Sequence, residues 1–175
     1  EVRCAVNAPL ALNDPSGVWQ VEAGPLYVFS VDLDRGAPAG PRTHLFTLEQ
    51  GDLLYGAPAL ASGRRDRGLI ATGSVETRLR RLANAAYWAT ARQRGFHEAA
   101  AEHFEAWARR LSHAIRPAYT PHEFRDIAID HEFAVPAGFV IRPHAHAVWV
   151  KHVTGGSYYL GNSNLYFTAA DGFLP

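Results

Sequence analysis

Along residues 17–33 the side chains sort on a two-residue period, with Leu26, Val28, Ser30 and Asp32 on one side of the pleat and Tyr27, Phe29, Val31 and Leu33 on the other. Val, Trp, Tyr and Phe favour a pleated, half-buried surface, and Gly24-Pro25 marks a turn, so this stretch predicts two short strands. A Gly/Pro/Ala loop at 35–41 precedes a third predicted strand at 44–48, and Gln50-Gly51-Asp52 turns the chain into a fourth at 53–56. A polar, Arg-rich loop is expected at 62–67, followed by strands at 68–72 and 75–82. The last of these alternates Val75, Thr77, Leu79 and Arg81 with Glu76, Arg78, Arg80 and Leu82. Many short, evenly spaced strands suggest a compact roll or barrel over residues 1–82, and a double-stranded β-roll is the architecture expected.

The period changes at residue 83, where an Ala-rich run without Gly or Pro reaches Arg94 before Gly95 interrupts it. Beyond it Phe96, Ala100, Phe104, Trp107, Leu111 and Ile115 recur at spacings of three and four, the mark of an amphipathic helix. Glu98, Glu102 and Glu105 come early and Arg109 and Arg110 late, as the helix dipole favours, and Pro117 stops the helix. Strand-like sequence returns at 127–141 and 147–168. The organisation expected is mainly β: a roll at 1–82, a helical segment at 83–117, and a second, incomplete β-roll segment at 118–175 packing on the first. The run 17–27 is echoed weakly at 147–158, where Trp149 takes the place of Trp19 in a strand entering a Gly-containing turn.

The chain has 175 residues, 47% of them hydrophobic, enough for one domain or two small ones with a real core. Seventeen Lys+Arg balance seventeen Asp+Glu, so no global field draws the protein to nucleic acid or anionic lipid. The single cysteine, Cys4, forms no intramolecular disulfide, and with no neighbouring base in sequence it reads as a structural thiol. No window approaches 18 consecutive apolar residues, and the N-terminus lacks the order of a signal peptide. The absence of methionine even at position 1 leads us to expect a fragment of a longer protein.

The most specific chemical signal is GFVIRPHAH at 138–146, with His152 six residues further on. In a strand His144 and His146 share a face and reach one ion, so His144, His146 and His152 are candidate ligands for a divalent transition metal. The run resembles the first cupin motif, with Lys151 where metal-binding cupins carry a glutamate; a protonated ammonium has no lone pair to give. Arg78 and Arg80 share one strand face and are candidates for an anion or partner contact. Tyr158, Tyr159 and Tyr166 are candidates for contact with an extended peptide added at an open sheet edge, or else form a half-buried cross-strand cluster. Asp130-His131-Glu132 offers acid and base groups, but strand alternation separates His131 from its neighbours. Nucleophile-elbow, phosphate-loop and dinucleotide motifs are absent, so no catalytic residue is assigned and no cofactor is expected beyond the metal considered above.

The segments LNDPSGVWQVEAG at 12–24 and RTHLFTLEQGDLLYG at 42–56 resemble the N-terminal accessory region of bacterial ABC transporters that export bacteriocins with nitrile-hydratase-type leader peptides. The resemblance continues in GLIATGS at 68–74, FEAWARRLS at 104–112, VWVKHVTGG at 148–156 and the closing FLP. It implies a cytoplasmic, non-catalytic regulatory or recognition domain with a cyclic-nucleotide-binding-like or cupin-like roll. The membrane-spanning and ATP-hydrolysing parts would lie beyond Pro175. Its implied partners are the rest of the transporter chain and the leader peptide, without nucleic acid, and the intact transporter would be a dimer. The competing reading is a cupin-type metalloprotein acting on a small organic substrate through His144 and His146.

Overall fold

The turn expected at Gly24-Pro25 forms, and it carries the chain from one sheet into another. The structure, a computed structural model, describes residues 2–62, 65–93, 95–114, 124–127, 134–143, 149–158, 166–171 and 173–174. Two compact units divide it, Glu1–Ala114 and Ile115–Pro175. The first contains β1 (Val2–Arg3), β2 (Leu10–Ala11), β3 (Val18–Ala23), β4 (Leu26–Asp34), β5 (Ala37–Leu48), β6 (Leu53–Tyr55), β7 (Leu60–Ser62), β8 (Arg65–Gly73) and β9 (Arg78–Leu82). Helices α1 (Asn84–Ala91) and α2 (His97–Ala114) follow. One sheet has the order β1-β9-β3-β6; the other runs β2-β8-β4-β5, with β7 also paired to β8. All these pairings are antiparallel.

Three local expectations differ from the structure. The predicted loop at 35–41 contracts to a two-residue turn, because Arg35 and Gly36 both take positive φ (51° and 83°), the geometry whose twist matches an antiparallel hairpin. Strand β5 therefore starts at Ala37, and the surplus Gly40 and Pro41 are absorbed where the register jumps between Val31 and Asp32 of β4. Likewise the Arg-rich stretch at 62–67 lies largely in strands: Leu60, Ala61 and Ser62 pair with Arg67, Asp66 and Arg65. Finally, β9 begins only at Arg78, because residues 74–77 form the turn that returns the chain from the second sheet to the first.

That turn and the one at Gly24-Pro25 are clasped together by Thr77, which is 1% exposed. Its hydroxyl donates to the Pro25 carbonyl at 2.8 Å and accepts from the Ser74 amide at 2.8 Å. Gly24 (φ 71°) and Gly73 both run against it: a Cβ on Gly73 would stand 2.4 Å from the Thr77 Cβ. Buried side chains from both sheets, among them Trp19, Val21, Leu54 and Leu79 from the first and Leu26, Val28, Leu48 and Ala71 from the second, form one cluster with Leu12 and Cys4. A smaller cluster of Val31, Leu33 and Ile70, with Phe29, occupies the opposite face of β4.

Both helices fall within the first unit, and α2 is described as far as Ala114. The stripe read from the sequence buries Trp107 (3% exposed) in the core, with Phe104 and Leu111 packed against it. Trp107 meets Phe46 of β5 edge to face at 5.3 Å, and Phe104 meets Tyr55 of β6 at 5.3 Å. Arg110 pairs with Asp52 at 3.0 Å, fastening α2 to the turn between β5 and β6. Phe96 is the exception: it precedes the first helical residue and is 56% exposed.

The second unit, described by itself, is built of short pairs. β10 (Phe124–Ile127) runs parallel to β11 (Val140–Pro143), β12 (Val150–Lys151) pairs antiparallel with β15 (Phe173–Leu174), and β13 (Gly156–Tyr158) pairs antiparallel with β14 (Tyr166–Thr168). A 3-10 turn, Ala169–Asp171, follows β14. The echo of the first segment does not extend to burial. Trp19 is 4% exposed inside a six-residue strand, whereas Trp149 is 44% exposed just ahead of a two-residue one. No helix among the described residues is long and apolar enough to cross a membrane.

Candidate functional site

The site begins with two local locks in the second unit. After β12, Gly155 takes a positive φ (71°) that turns the chain into β13, and His152 Nε2 is hydrogen-bonded to Ser157 Oγ at 2.9 Å across that turn. At the other end Asp171 Oδ2 accepts from the Thr168 amide at 2.7 Å and from its hydroxyl at 3.0 Å, holding the exit of β14. Between these locks Gly156, Ser157 and Tyr158 lie opposite Thr168, Phe167 and Tyr166. Alternation puts Tyr158 and Tyr166 on the same face as Gly156, and Ser157 with Phe167 on the other.

The two tyrosine rings are 4.9 Å apart, tilted by 46°, and 57% and 51% exposed. Gly156 is their floor: a Cβ there would lie 2.7 Å from the Tyr166 Cζ and 2.5 Å from the Phe167 carbonyl oxygen. Only a glycine lets the ring lie this close to the backbone. The result is an aromatic shelf with two phenolic hydroxyls at its rim. On either side, among the described residues, neither β13 nor β14 has a second partner strand. Such a shelf offers apolar area to the side chains of an extended chain. Tyr159, named with these two from the sequence, lies outside the described residues.

Of the candidate metal ligands, His144 and His146 lie outside the described residues, as does the 130–132 run, while His152 makes the Ser157 hydrogen bond. Among the described residues no group of three or more His, Cys, Asp and Glu side chains converges. Cys4 is 1% exposed and donates to the Ala71 carbonyl at 3.0 Å. Burial pushes its thiol pKa up, against backbone hydrogen bonds from Leu10 and Gly73 that lower it, the opposite of what a nucleophile needs. Tyr55 is also buried, and desolvation together with a 2.7 Å hydrogen bond to the Tyr87 hydroxyl raises its pKa beyond the usual phenol range.

The arginines of β9 are brought together as the alternation requires. Arg78 and Arg80 flank buried Leu79 and are exposed on one face. Arg80 is already engaged, by Glu22 at 3.3 Å and by the Gln20 side chain. Arg81, on the other face, pairs with Asp14 at 3.3 Å and stands over the Trp19 ring at 5.9 Å. Arg3 was not singled out from the sequence, yet β1 lays it directly opposite Arg78. No local signal marks that position, because the pairing joins residues some 75 apart along the chain.

No protein-family model, curated protein or solved structure matches this chain.

Proposed function

We propose that this protein is a non-catalytic recognition domain of a peptide-exporting ABC transporter, and that it takes an extended leader peptide on the β13–β14 hairpin. The observation that carries the reading is the Tyr158–Tyr166 pair, two rings in contact and each more than half exposed on a ladder that pairs with no third strand among the described residues. The segment resemblance supports the transporter context, the cytoplasmic placement and the dimeric parent assembly. A peptide strand laid beside the β13–β14 hairpin would extend the ladder, and alternate side chains would rest on the shelf.

The test is a titration of the purified chain with a synthetic leader peptide, followed by tyrosine fluorescence and by amide chemical shifts. Removing both rings, as Tyr158→Ala with Tyr166→Ala, should weaken binding at least tenfold, about 1.4 kcal/mol, while unfolding of the first unit stays unchanged. Peptide binding that survives the double substitution, or shifts confined to residues of the first unit, would defeat the proposal.

A further inference from the structure

Thr168 stands directly opposite Gly156, so its side chain shares the face of Tyr158 and Tyr166. Its hydroxyl donates to Asp171 Oδ2 at 3.0 Å and its amide to the same oxygen at 2.7 Å, which brings the Asp171 carboxylate to the end of the tyrosine shelf. The Tyr166 ring leans the same way: its Cζ and its hydroxyl oxygen both lie 2.7 Å from the place of a Cβ on Gly156, the residue across from Thr168. Directly opposed residues have Cβ atoms roughly 5 Å apart, so the phenol end of Tyr166 and the Thr168–Asp171 lock are neighbours. Asp171 is exposed and forms no ion pair among the described residues. Neither tyrosine ring has a described cation over it, in contrast to Trp19, which carries Arg81.

We propose that this face binds a cationic side chain of the peptide, arginine above all, with its charge held between the Tyr158 and Tyr166 ring faces and the Asp171 carboxylate. The proposal rests on the peptide reading given above and adds which residue of the peptide the shelf selects. A ring face carries the negative end of the aromatic quadrupole and attracts a cation within about 6 Å of its centre. A guanidinium is planar, so it lies on a tyrosine ring while its N–H edge reaches a carboxylate. Asp171 supplies that carboxylate: Thr168 is held on Oδ2, and Oδ1 is left to accept from the guest. Gly156 keeps the floor clear, because a larger residue there would displace the Tyr166 ring. An apolar side chain gains the ring area but leaves the carboxylate unanswered, and an acidic one is repelled by rings and carboxylate alike.

The experiment titrates the full chain with two acetylated and amidated pentapeptides, Thr-Val-Arg-Val-Thr and the same sequence with citrulline in place of arginine, and reads amide and tyrosine-ring shifts. Citrulline keeps the planar head of the side chain and removes its charge. Wild type should bind the arginine peptide about fivefold more tightly, with shifts at residues 156–158 and 166–171, and added salt should narrow the difference. Asp171→Asn keeps an acceptor for both Thr168 hydrogen bonds and so keeps the hairpin, but removes the charge; it should lose most of the preference for arginine. Tyr166→Phe keeps the ring face and should retain that preference. Equal binding of the two peptides by wild type, both lost in Tyr158→Ala with Tyr166→Ala, overturns the cation site and leaves the peptide reading standing. Arginine-peptide binding that survives the double tyrosine substitution overturns both. A preference unchanged in Asp171→Asn, or no binding of the arginine peptide to a chain that still takes the leader peptide, overturns the cation site alone.

Discussion

Replacing Thr77 by valine removes one oxygen atom from the place where both sheet crossovers meet, and leaves the shape of the side chain nearly intact. The hydroxyl donates to the Pro25 carbonyl and accepts from the Ser74 amide, each at 2.8 Å. Pro25 is half-buried, so its carbonyl loses a partner that water replaces only in part; Ser74 is exposed, and its amide can turn to solvent. One buried acceptor left short at about 1–2 kcal/mol, plus a small net loss at the amide, gives a destabilisation of about 2 kcal/mol. For a unit of this size that is a fall of about 8 °C in Tm. Urea unfolding followed by tryptophan fluorescence reads it directly, since Trp19 and Trp107 are buried at 4% and 3% exposure in this unit. Thr77→Ser is the control: it keeps both hydrogen bonds and loses only the methyl group packed on Gly73, so it should cost less than valine. A valine variant as stable as wild type, or a serine variant less stable than valine, would refute the clasp.

Trp107→Ala should destabilise the first unit by about 3–5 kcal/mol and lower the helical signal in far-ultraviolet circular dichroism, because it empties the contact between α2 and Phe46; an unchanged urea midpoint would show that α2 is not anchored there. Hydrogen bonds from the Ser16 side chain and amide, with Arg81 beside it, hold the Asp14 carboxyl pKa below its ordinary value. A pKa depressed on folding contributes stability above the unfolded-state value and loses it as pH falls through the folded one. Asp14→Asn should therefore be less stable than wild type near neutral pH, with the gap closing in acid, as Tm measured against pH will show; a gap independent of pH would remove the carboxylate from the account. Peptide binding on the tyrosine shelf should be the same before and after dialysis against EDTA, by the same fluorescence titration, and a loss on chelation would move the site to His144, His146 and His152.

Local chemistry made part of this molecule legible from residue order. The turn at Gly24-Pro25, the strands on either side of it, the turn at Gly51 and the stripe Phe104, Trp107, Leu111 all follow from spacing and backbone preference over fewer than ten residues. Tyr158, Tyr166, Arg78 and Arg80 could be named for the same reason, since alternation puts exposed residues on a common face. What each faces across the ladder was decided elsewhere in the chain. Arg80 meets Glu22, and Arg78 takes the register position opposite residue 3, through pairings of strands far apart in sequence, and Tyr166 lies on Gly156 because β14 returns antiparallel to β13. Strand ends were equally non-local: Ala37 joins β5 because Arg35 and Gly36 accept positive φ under the twist of β4, and residues 74–77 become a turn because Thr77 finds the Pro25 carbonyl. Side-chain period determines which face a residue takes. Only the register between distant strands, set by the burial of the whole core, determines the neighbour it meets there.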